Sequence, residues 1–496
     1  MGLLSCAGMR ALEEAAFRGG VSAEALMDKA GRRIGEALVR LHPVPGTAVA
    51  YLGRGNNGGD ALVALRVLRR AGWQVRLRAA LPPPELGMLP RRKWRELGEP
   101  VLEEDPLSAG DLARPLLVLD GLLGIGARGP VRPPLRDLAA EMNALREEQG
   151  ATVAAIDLPS GVDGDSGEPH PGAVQADLTL TVGVPKCGLL ADQATGHVGR
   201  LELVALEELP PPPDGDRLTA PAELRASVGP RPFDFHKGEA GRVAIVAGSR
   251  GLLGAALLAA CGALRGGAGL VTLFVPEELY PLVLAAGAPP ELMVRPCRTL
   301  AEDLLAARPD VLAIGPGLGK PEGAWREELL DLLGRFAGPQ VVDADALNLI
   351  AEEGPARHLT ERMLITPHPG EMARLLPVEG DRAATARQFV AQHPATLLYK
   401  GARTIVTAPG QPLFYNSTGT PGMASGGQGD VLTGLLAALV GGGLPPLLAA
   451  RAGAWLAGRA SELAVQSDQR QSARSLLATD TAAFLGAAFR DLQEAP

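Results

Sequence analysis

The stretch Ser425-Gly426-Gly427-Gln428-Gly429-Asp430, which leads into the apolar run of residues 431–440, decides the fold of the second half of the chain. Glycines ahead of a helix-forming run let backbone N–H groups converge on a phosphate at the start of the helix. Asp430 would repel that phosphate, so we expect it to lie beside an attacking hydroxyl as a general base. Taken alone, however, such a loop is explained equally well as an ordinary tight turn.

A second loop of the same kind, Gly55-Asn56-Asn57-Gly58-Gly59-Asp60, lies near the start of the chain. It again places glycines between a strand-like run and a helix-like run, and it again ends in an aspartate. A carboxylate beside an anion-binding loop would repel the anion, so we expect it to have another role, such as holding a cation or a hydroxyl or taking a proton. Two such loops in two halves of one chain predict two active sites.

Chain length and one proline run indicate two domains. A chain of 496 residues is too long for one hydrophobic core. Four consecutive prolines at residues 210–213 cannot continue a helix or a central strand. We therefore predict domains at residues 1–213 and 217–496. Both halves alternate short β-type runs with longer helical runs, which is typical of an α/β fold with a mostly parallel sheet.

Composition argues against several classes of protein. The net charge is −8 and aromatic residues make up 3%, which argues against nucleic-acid binding. The apolar stretches are too short or too broken to cross a bilayer, and the N-terminus lacks the pattern of a signal peptide. We therefore expect a cytoplasmic protein without membrane contact. The four cysteines are widely spaced, which argues against a zinc site and a disulfide framework.

Short apolar runs predict the strands of both sheets. In open α/β sheets, ligands bind beyond the carboxyl ends of the strands, and most of the polar motifs fall there. We expect helices after Asp60, Gly254 and Gly429. The two halves show no repeat of each other, which favours a fusion over a duplication. The predicted strands are residues 47–52, 116–119, 152–156, 178–182, 242–246, 270–275, 311–314, 340–342, 363–365 and 395–399.

Polar clusters in the first half predict a site for a hard cation. Beside the first loop, these clusters are Asp120, Asp157-Leu158-Pro159-Ser160-Gly161 and Pro185-Lys186. Amide, carboxylate and hydroxyl oxygens suit an alkali or alkaline-earth cation and are poor ligands for zinc. The loop Gly124-Ile125-Gly126-Ala127-Arg128-Gly129-Pro130 adds a candidate phosphate cradle. The alternative is that Asp120 and Asp157 only cap the helices after their strands.

These clusters, together with Met9-Arg10 and Leu26-Met27-Asp28-Lys29-Ala30-Gly31, resemble the YjeF N-terminal domain, the NAD(P)H-hydrate epimerase. The resemblance implies a Rossmann-like domain that interconverts the R and S epimers at C6 of the hydrated nicotinamide ring. Two positions depart from the usual family pattern, with Ala61 in place of glycine and Ile125 in place of threonine. The resemblance implies that K⁺ is held by Asn57, Asp120 and Ser160, and that substrate is contacted by Asn56, Asn57, Gly58, Gly59, Asp60, Gly124, Ile125, Gly126, Ala127, Arg128, Gly129, Pro130 and Asp157. A carboxylate at Asp157 could also handle the proton of the epimerisation.

The motifs of the second half resemble a ribokinase-like fold and, as a set, the YjeF C-terminal domain, the ADP- or ATP-dependent NAD(P)H-hydrate dehydratase. They are Phe235-His236-Lys237-Gly238, Gly315-Pro316-Gly317-Leu318-Gly319, Asp343-Ala344-Asp345, Thr366-Pro367-His368-Pro369-Gly370-Glu371, Lys400-Gly401-Ala402-Arg403-Thr404 and the loop that ends in Asp430. The resemblance implies that Ala255, Gly317, His368 and Asp430 contact the hydrate, and that Lys400, Gly401, Ala402, Arg403, Thr404 and Gly429 bind the nucleotide.

Simpler roles remain open for several of these residues. His368 lies between two prolines and could form a rigid turn. Lys400 could be a solvated strand end, and Asp343 or Asp345 could be a helix cap. Asp430 is harder to explain in this way, because a carboxylate at the start of a helix is otherwise only a modest capping device.

Together the two halves predict a repair enzyme for hydrated NADH and NADPH, with Asp157 and Asp430 as catalytic residues. We expect K⁺ in the first site, Mg²⁺ with ADP or ATP in the second, ADP as the preferred donor, and a homo-oligomer. Two alternatives stay open. The second half could be a kinase for a vitamin or sugar alcohol, because the Gly-Gln-Gly-Asp loop is shared across that fold. The first half could be a non-catalytic binding module.

Overall fold

The structure, a computed structural model, describes residues 1–100, 102–107, 112–467 and 471–494. The chain divides into two compact units, Met1–Leu218 and Thr219–Pro496. The first unit continues past the proline run because its last residue is tied to its first. The backbone N–H of Leu218 donates to the carbonyl of Met1 over 2.8 Å, and the terminal amine of Met1 donates to the carbonyl of Leu218 over 2.9 Å.

The first unit is a parallel sheet with helices. Six of its strands lie in the order β2-β1-β3-β4-β5-β6, and each neighbouring pair is parallel. The strands are β1 (Thr47–Leu52), β2 (Gln74–Ala79), β3 (Leu116–Gly121), β4 (Thr152–Ile156), β5 (Leu178–Val182), β6 (Arg200–Val204) and the short β7 (Arg217–Leu218). The helices are α1 (Cys6–Arg18), α2 (Ala23–Leu41), α3 (Asn56–Arg70), α4 (Met88–Glu96), α5 (Leu135–Gln149) and α6 (Thr195–Val198).

The central strands of this sheet are buried on both faces. Residues of β1 pack into one apolar cluster with Ile34 and Leu65 from α2 and α3, and into another with Leu138 and Met142 from α5. A strand covered on both faces needs an apolar residue at every position, which is why its sequence is a continuous apolar run. The predicted bounds of β1, β4 and β5 are confirmed, and β3 extends two residues further, to Gly121.

The predictions in the first half contained two errors. The two outermost strands, β2 and β6, were missed, because charged residues such as Arg76 and Glu202 interrupt their sequences. A strand at the edge of a sheet faces solvent more and so tolerates such residues. The helix expected after Asp60 begins earlier, at Asn56, so the sequence from Asn56 to Asp60 forms its first turn.

The second unit is a larger sheet of the same general design. Its strands lie in the order β10-β9-β8-β11-β12-β13-β14-β15-β16. They are parallel from β10 to β14 and antiparallel for the last two pairings. The strands are β8 (Arg242–Val246), β9 (Leu270–Pro276), β10 (Met293–Cys297), β11 (Val311–Ile314), β12 (Gln340–Val342), β13 (Met363–Ile365), β14 (Thr396–Tyr399), β15 (Ile405–Thr407) and β16 (Phe414–Tyr415).

The helices of the second unit include those expected after Gly254 and Gly429, each of which begins one residue before the glycine named. The bounds predicted for β8, β11, β12 and β13 are confirmed, whereas β10, β15 and β16 were missed. The helices are α7 (Pro221–Arg225), α8 (Leu253–Arg265), α9 (Tyr280–Ala285), α10 (Leu300–Ala306), α11 (Gly323–Arg335), α12 (Ala344–Glu353), α13 (Pro355–His358), α14 (Pro369–Leu375), α15 (Arg382–Gln392), α16 (Gln428–Gly441), α17 (Pro446–Ser467) and α18 (Ala478–Glu494).

Close packing against α8 fixes the position of α16. A Cβ atom on Gly434 would lie 1.8 Å from the carbonyl oxygen of Ala259, so only glycine permits this approach. The apolar, glycine- and alanine-rich sequences of both helices therefore serve packing between helices. Across the described part of the chain, no helix combines the length and apolar character needed to cross a bilayer.

Candidate functional sites

The first site is centred on a buried carboxylate at the end of β3. Asp120 is fully buried and accepts hydrogen bonds from the Ser160 hydroxyl at 2.6 Å, the Ser160 backbone at 2.7 Å and the Leu122 backbone at 3.2 Å. Burial raises the pKa of Asp120 to about 6, although these hydrogen bonds act to lower it. Within the described residues no ion pair to Asp120 is found, so its hydrogen-bond donors there are neutral groups.

Asn57 lies at the same place with its amide orientation fixed. Its Nδ2 donates to the carbonyl oxygens of Leu123, at 2.8 Å, and of Ile156, at 2.9 Å. Its oxygen therefore points away from those two carbonyls. The Ser160 hydroxyl, which donates to Asp120, also accepts from the Leu123 backbone at 2.9 Å. The Leu123 backbone thus contacts both Asn57 and Ser160, and Ser160 contacts Asp120. Oxygens of these three types are ligands that suit a hard cation.

Asp157 lies in a left-handed turn at the end of β4, with a φ of 67°. Its Oδ1 accepts from the backbone of Val182 at 3.0 Å and pairs with the ammonium group of Lys186. Lys186 is only 1% exposed and also donates to the Val182 carbonyl at 2.9 Å. A non-glycine residue in this backbone region is strained, which is common where a side chain must be aimed at a site.

The helix-capping explanation for Asp120 and Asp157 is wrong. The helix after β3 begins only at Leu135, and β4 is followed by β5 with no helix in between. Neither carboxylate therefore has a helix to cap. Their hydrogen bonds go instead to the loops at the carboxyl ends of β3, β4 and β5.

Met9-Arg10 of α1 was noted in the sequence only as a motif, and Glu13 of the same helix was missed. Arg10 donates to the carbonyl of Ile125 over 2.7 Å, which ties α1 to the loop of residues 124–130. Burial raises the pKa of Glu13, and the charge of Asp157 raises it further. The pKa of Asp60 is raised well above its usual value by burial and by the charges of Asp157 and Glu13. The sequence gives little indication that Glu13 lies near Asp60 and Asp157, because these residues are far apart in the chain.

The loop of residues 124–130 lies beside Asn57. A Cβ atom on Gly124 would be 3.6 Å from the Asn57 side-chain carbon. Arg128 and Gly126 of this loop are exposed. The two departures from the family pattern have structural roles, because Ala61 is fully buried and Ile125 packs against an apolar cluster.

The second site is built from the ends of three neighbouring strands. Asp343 follows β12, Glu371 lies in α14 after β13, and Lys400 follows β14. The Lys400 ammonium lies 2.7 Å from Asp343 Oδ1 and 3.8 Å from Glu371 Oε2. Burial lowers the pKa of Lys400, but the charges of Asp343 and Glu371 raise it by more. Lys400 is therefore a charged, held side chain, and its interpretation as a solvated strand end is wrong.

The start of α16 completes this cluster. Thr433 donates to Asp343 Oδ2 over 2.8 Å. A Cβ atom on Gly429 would lie 3.4 Å from Lys400 Nζ, so these two predicted nucleotide contacts are adjacent. The first N–H groups of a helix have no partner within it. At the start of α16 they lie next to Lys400, which is a suitable environment for a phosphoryl group.

Asp430 lies in the first turn of α16. Burial raises its pKa to about 6, Asp343 and Asp345 also raise it, and Lys400 lowers it. A carboxylate with a pKa near the working pH is both ionised enough to accept a proton and basic enough to hold it. This environment is suited to a general base.

Asp343 and Asp345 do not cap α12 through their side chains. Asp343 is at the N-cap position but makes no side-chain capping hydrogen bond. Asp345 accepts from the backbone of Gly319 at 2.7 Å and so anchors the loop after β11. The cap interpretation is therefore right for Asp343 in position only, and it is wrong for Asp345.

His368 does form the turn that its two prolines suggested. It is the N-cap of α14, where its Nδ1 accepts from the backbone of Gly370 at 3.0 Å and of Glu371 at 3.4 Å. Its side chain is nevertheless 52% exposed. Because Nδ1 is an acceptor, the neutral ring carries its proton on Nε2.

The remaining predicted contacts lie on loops and, for Ala255, in the first turn of α8. A Cβ atom on Gly317 would be 2.8 Å from the Ala255 Cβ, so these two predicted hydrate contacts adjoin each other. The loop of residues 400–404 joins β14 to β15. Arg382 supports it by donating to the carbonyls of Lys400, at 3.3 Å, and of Arg403, at 2.8 Å. The Arg403 side chain is buried, whereas Gly401 and Ala402 are exposed.

The chain consists of two α/β units, each with a polar site at the carboxyl ends of its strands, which is the architecture of a two-site enzyme. A family model described as YjeF-related protein N-terminus matches residues 23–188, and a model described as NAD(P)H-hydrate dehydratase matches residues 243–482. The chain is 37% identical to a bifunctional NAD(P)H-hydrate repair enzyme of Moorella thermoacetica, over 95% of this chain and 93% of that protein.

The enzyme of the same description from Escherichia coli is 35% identical, over 95% of this chain and 90% of its own length. The chain therefore belongs to the family of bifunctional NAD(P)H-hydrate repair enzymes, which combine an epimerase and a dehydratase. The predicted family and fold class are confirmed. Among solved structures, an ADP/ATP-dependent NAD(P)H-hydrate dehydratase of Bacillus subtilis, co-crystallised with ATP and Mg²⁺, is 28% identical with a TM-score of 0.48, over 56% of this chain and 99% of that one.

Proposed function

We propose that the first unit epimerises hydrated NADH and NADPH at C6, and that the second unit dehydrates the S epimer with ADP or ATP. One observation supports the assignment of one reaction to each unit: each unit has its own polar site, at the carboxyl ends of the strands of its own sheet. The alternative of a vitamin or sugar-alcohol kinase predicts a stable phosphorylated product. The alternative of a non-catalytic first unit is opposed by the clustering of Asn57, Asp120 and Ser160.

In the dehydratase, a hydroxyl at C6 of the hydrate is a poor leaving group until it is phosphorylated. Asp430 takes the proton of this hydroxyl as it attacks the terminal phosphorus of the nucleotide. Lys400 and the N–H groups at the start of α16 stabilise the transferring phosphoryl group. Phosphate then leaves with the help of the ring nitrogen lone pair, and loss of the C5 proton restores the dihydronicotinamide. ADP gives AMP and phosphate.

In the epimerase, the C6–oxygen bond must break and form again on the other face of the ring. Asp60, whose pKa is raised by burial and by Asp157, donates a proton to the departing hydroxyl, and exchange with solvent returns the proton to Asp60 after the reaction. The Asp157 carboxylate stabilises the positively charged ring and takes the proton when water adds again. Lys186 holds Asp157 in place through Oδ1. The loop of residues 124–130 and the first turn of α3 bind the phosphates and ribose.

A K⁺ ion would be held by Asn57, Asp120 and Ser160. When bound, it supplies the positive charge that balances the buried Asp120 carboxylate and that attracts the substrate phosphates. For the second site, we propose Mg²⁺ bound with the nucleotide. Among the described residues, no three His, Cys, Asp or Glu side chains converge as a metal-binding group. The phosphates would therefore supply most of the Mg²⁺ ligands.

The direct test is to incubate mixed R and S hydrates with the full chain and to follow the absorbance of NADH. Our proposal requires complete recovery with ADP or ATP, release of orthophosphate in step with NADH, and no recovery without nucleotide. Repair at the full rate without nucleotide would contradict the phosphorylation mechanism. The preference for ADP, the cytoplasmic location and a homo-oligomeric state stay predictions.

A further inference from the structure

The hydrate is an anion, and the charges beside the proposed base of the second site do not favour its binding. NADH and NADPH carry a diphosphate between their two nucleosides, and hydration leaves this group unchanged. The charges that act on Asp430 are those of Asp343 and Asp345, which raise its pKa, and of Lys400, which lowers it. Three of these four groups are carboxylates, and the proposed mechanism uses the one cation for the nucleotide. The diphosphate of the hydrate therefore needs positive charge from elsewhere in the chain.

Two neighbouring loops lie beside the predicted hydrate contacts of this site. One loop joins β8 to α8, and the other follows β11, the strand next to β8 in the sheet. The backbone N–H of Gly248 donates to the carbonyl of Pro316 over 2.8 Å, which ties the two loops together. A Cβ atom on Gly319 would lie 3.3 Å from Ser249 Oγ, so the loops also adjoin at these residues. They form one surface at the carboxyl ends of the two strands.

Each loop carries an exposed basic residue directly after this contact. Arg250 follows Ser249, and Lys320 follows Gly319. Among the described residues, neither basic side chain has a hydrogen-bond or ion-pair partner. An unpaired cation can bind an anion without first losing an existing ion pair, so both side chains are available to a phosphate.

The loop after β11 lies near the reacting end of the hydrate. Asp345 accepts from the backbone of Gly319 at 2.7 Å, and its charge raises the pKa of Asp430, the proposed base at the C6 hydroxyl. In the hydrate, one ribose separates the nicotinamide ring from the diphosphate, whereas the 2′-phosphate of NADPH lies on the more distant adenosine. A cation in this loop therefore suits the diphosphate better than the 2′-phosphate.

The loop before α8 reaches the same place. Arg250 lies two residues before Leu252, whose carbonyl oxygen would be 2.7 Å from a Cβ atom on Gly317. Lys320 lies three residues after Gly317, and three residues of chain span at most about 11 Å. Both basic residues are thus close in the chain to one predicted hydrate contact.

From this placement we propose that Arg250 and Lys320 bind the diphosphate of the hydrate in the second site. The inference rests on the proposed function, which assigns dehydration and the hydrate contact Gly317 to this site. The guanidinium group of Arg250 can donate two parallel N–H bonds to a phosphate, while Lys320 acts as a point charge. Because the diphosphate does not change during the reaction, these contacts contribute to the KM and not to kcat.

Two substitutions test this role. Arg250→Gln and Lys320→Gln each remove one charge and keep a polar side chain. We expect each to raise the KM for the S hydrate about fivefold and the double variant to raise it roughly twentyfold, with kcat unchanged. The increase should be equal for hydrated NADH and hydrated NADPH, because both contain the diphosphate. The KM of the wild-type chain should rise with salt concentration, and the double variant should show a weaker dependence.

The matched control is Arg308→Gln. Arg308 is also exposed and, in the part of the chain that the structure describes, also has no partner. It lies shortly before β11, whereas Lys320 lies in the loop after this strand. Removing the same charge at the amino end of the strand should leave the KM for the hydrate unchanged, because the site lies at the carboxyl end.

The experiment is a steady-state titration of each pure S hydrate at saturating ADP with the full chain, plus a calorimetric titration of ADP alone to show that each variant is folded. An unchanged hydrate KM in the double variant, or an equal rise in Arg308→Gln, would overturn the proposal. A rise confined to hydrated NADPH would assign the pair to the 2′-phosphate, and weaker binding of ADP would assign it to the nucleotide, so either result would also overturn it. If the wild-type chain neither binds ADP nor regenerates NADH, the proposed function fails instead.

Discussion

In each unit, polar side chains lie at the carboxyl ends of the strands of its own sheet. The two units differ in what compensates the charge of the buried carboxylate there. In the first unit, Asp120 is buried among neutral donors, the Ser160 hydroxyl and backbone N–H groups. In the second, Asp343 is equally buried but has Lys400 and Thr433 as partners. The comparison teaches that the buried carboxylate of the first site has neutral hydrogen-bond donors around it, whereas that of the second has a cationic partner within the chain. The K⁺ ion proposed for the first site follows from this difference.

The two sites also differ in the environment of the residue that handles protons. Asp430 faces a cluster of charges, and burial together with Asp343 raises its pKa to about 6. In the first site, Asp157 shares its Oδ1 with Lys186, while the pKa of Asp60 is raised well above its usual value. In the proposed mechanisms the second site therefore relies on one carboxylate, Asp430, and the first on two carboxyl groups, Asp157 and Asp60.

The largest expected effect is on the second site. Asp430→Asn keeps the shape of the side chain but cannot accept a proton, so dehydration should fall by ~10²–10⁴-fold. Binding of ADP and interconversion of the epimers should persist, because both units stay folded. NADH regeneration from the S hydrate measures the loss, with epimerisation in the same protein as the control. Turnover near the wild-type rate would assign the base elsewhere.

The next effect concerns the first site alone. Asp157→Ala should leave repair of the S hydrate intact and slow repair of the R hydrate to the rate of spontaneous epimerisation. A progress curve on mixed epimers would then become biphasic. Removing this carboxylate leaves Lys186 buried without its partner, which is destabilising. Asp157→Asn, which can still accept from Val182 and Lys186, is therefore the companion variant, and one fast phase in both would contradict a catalytic Asp157.

The smallest effect tests the difference in charge balance. Replacing K⁺ by tetramethylammonium at constant ionic strength should slow epimerisation severalfold, because the larger cation cannot be held by Asn57, Asp120 and Ser160. Dehydration of the pure S epimer should not respond, because Lys400 supplies the cation in that site. Equal epimerisation rates in both salts would remove the argument for a cation at Asp120.

The sequence predicts the central strands well because a strand covered on both faces must be apolar throughout, as in β1 and β4. It fails at β2 and β6, where exposed edges admit Arg76 and Glu202. For the sites, sequence placed Asn57, Asp120 and Ser160 after strands and Asp430 at the start of a helix. It could not show which side chains pair with each other, because pairing depends on how distant segments meet.

Charge partners are the clearest case of what sequence does not reveal. Lys186 was noted only as part of a motif, yet it pairs with Asp157. Glu371 was noted in the same way, yet it contacts both His368 and Lys400. The functional-site interpretation of Asp120 and Asp157 could not be separated from a helix cap until the structure showed that no helix follows them closely.

The most direct test of two independent sites is to mix the two disabled chains. Asp157→Ala retains the dehydratase and Asp430→Asn retains the epimerase, so neither alone repairs a mixture of R and S hydrates at the normal rate. If the sites act separately, an equimolar mixture with ADP should convert both epimers to NADH in a single phase. A mixture that still leaves the R epimer to spontaneous epimerisation would contradict the assignment of the two reactions to two separate sites.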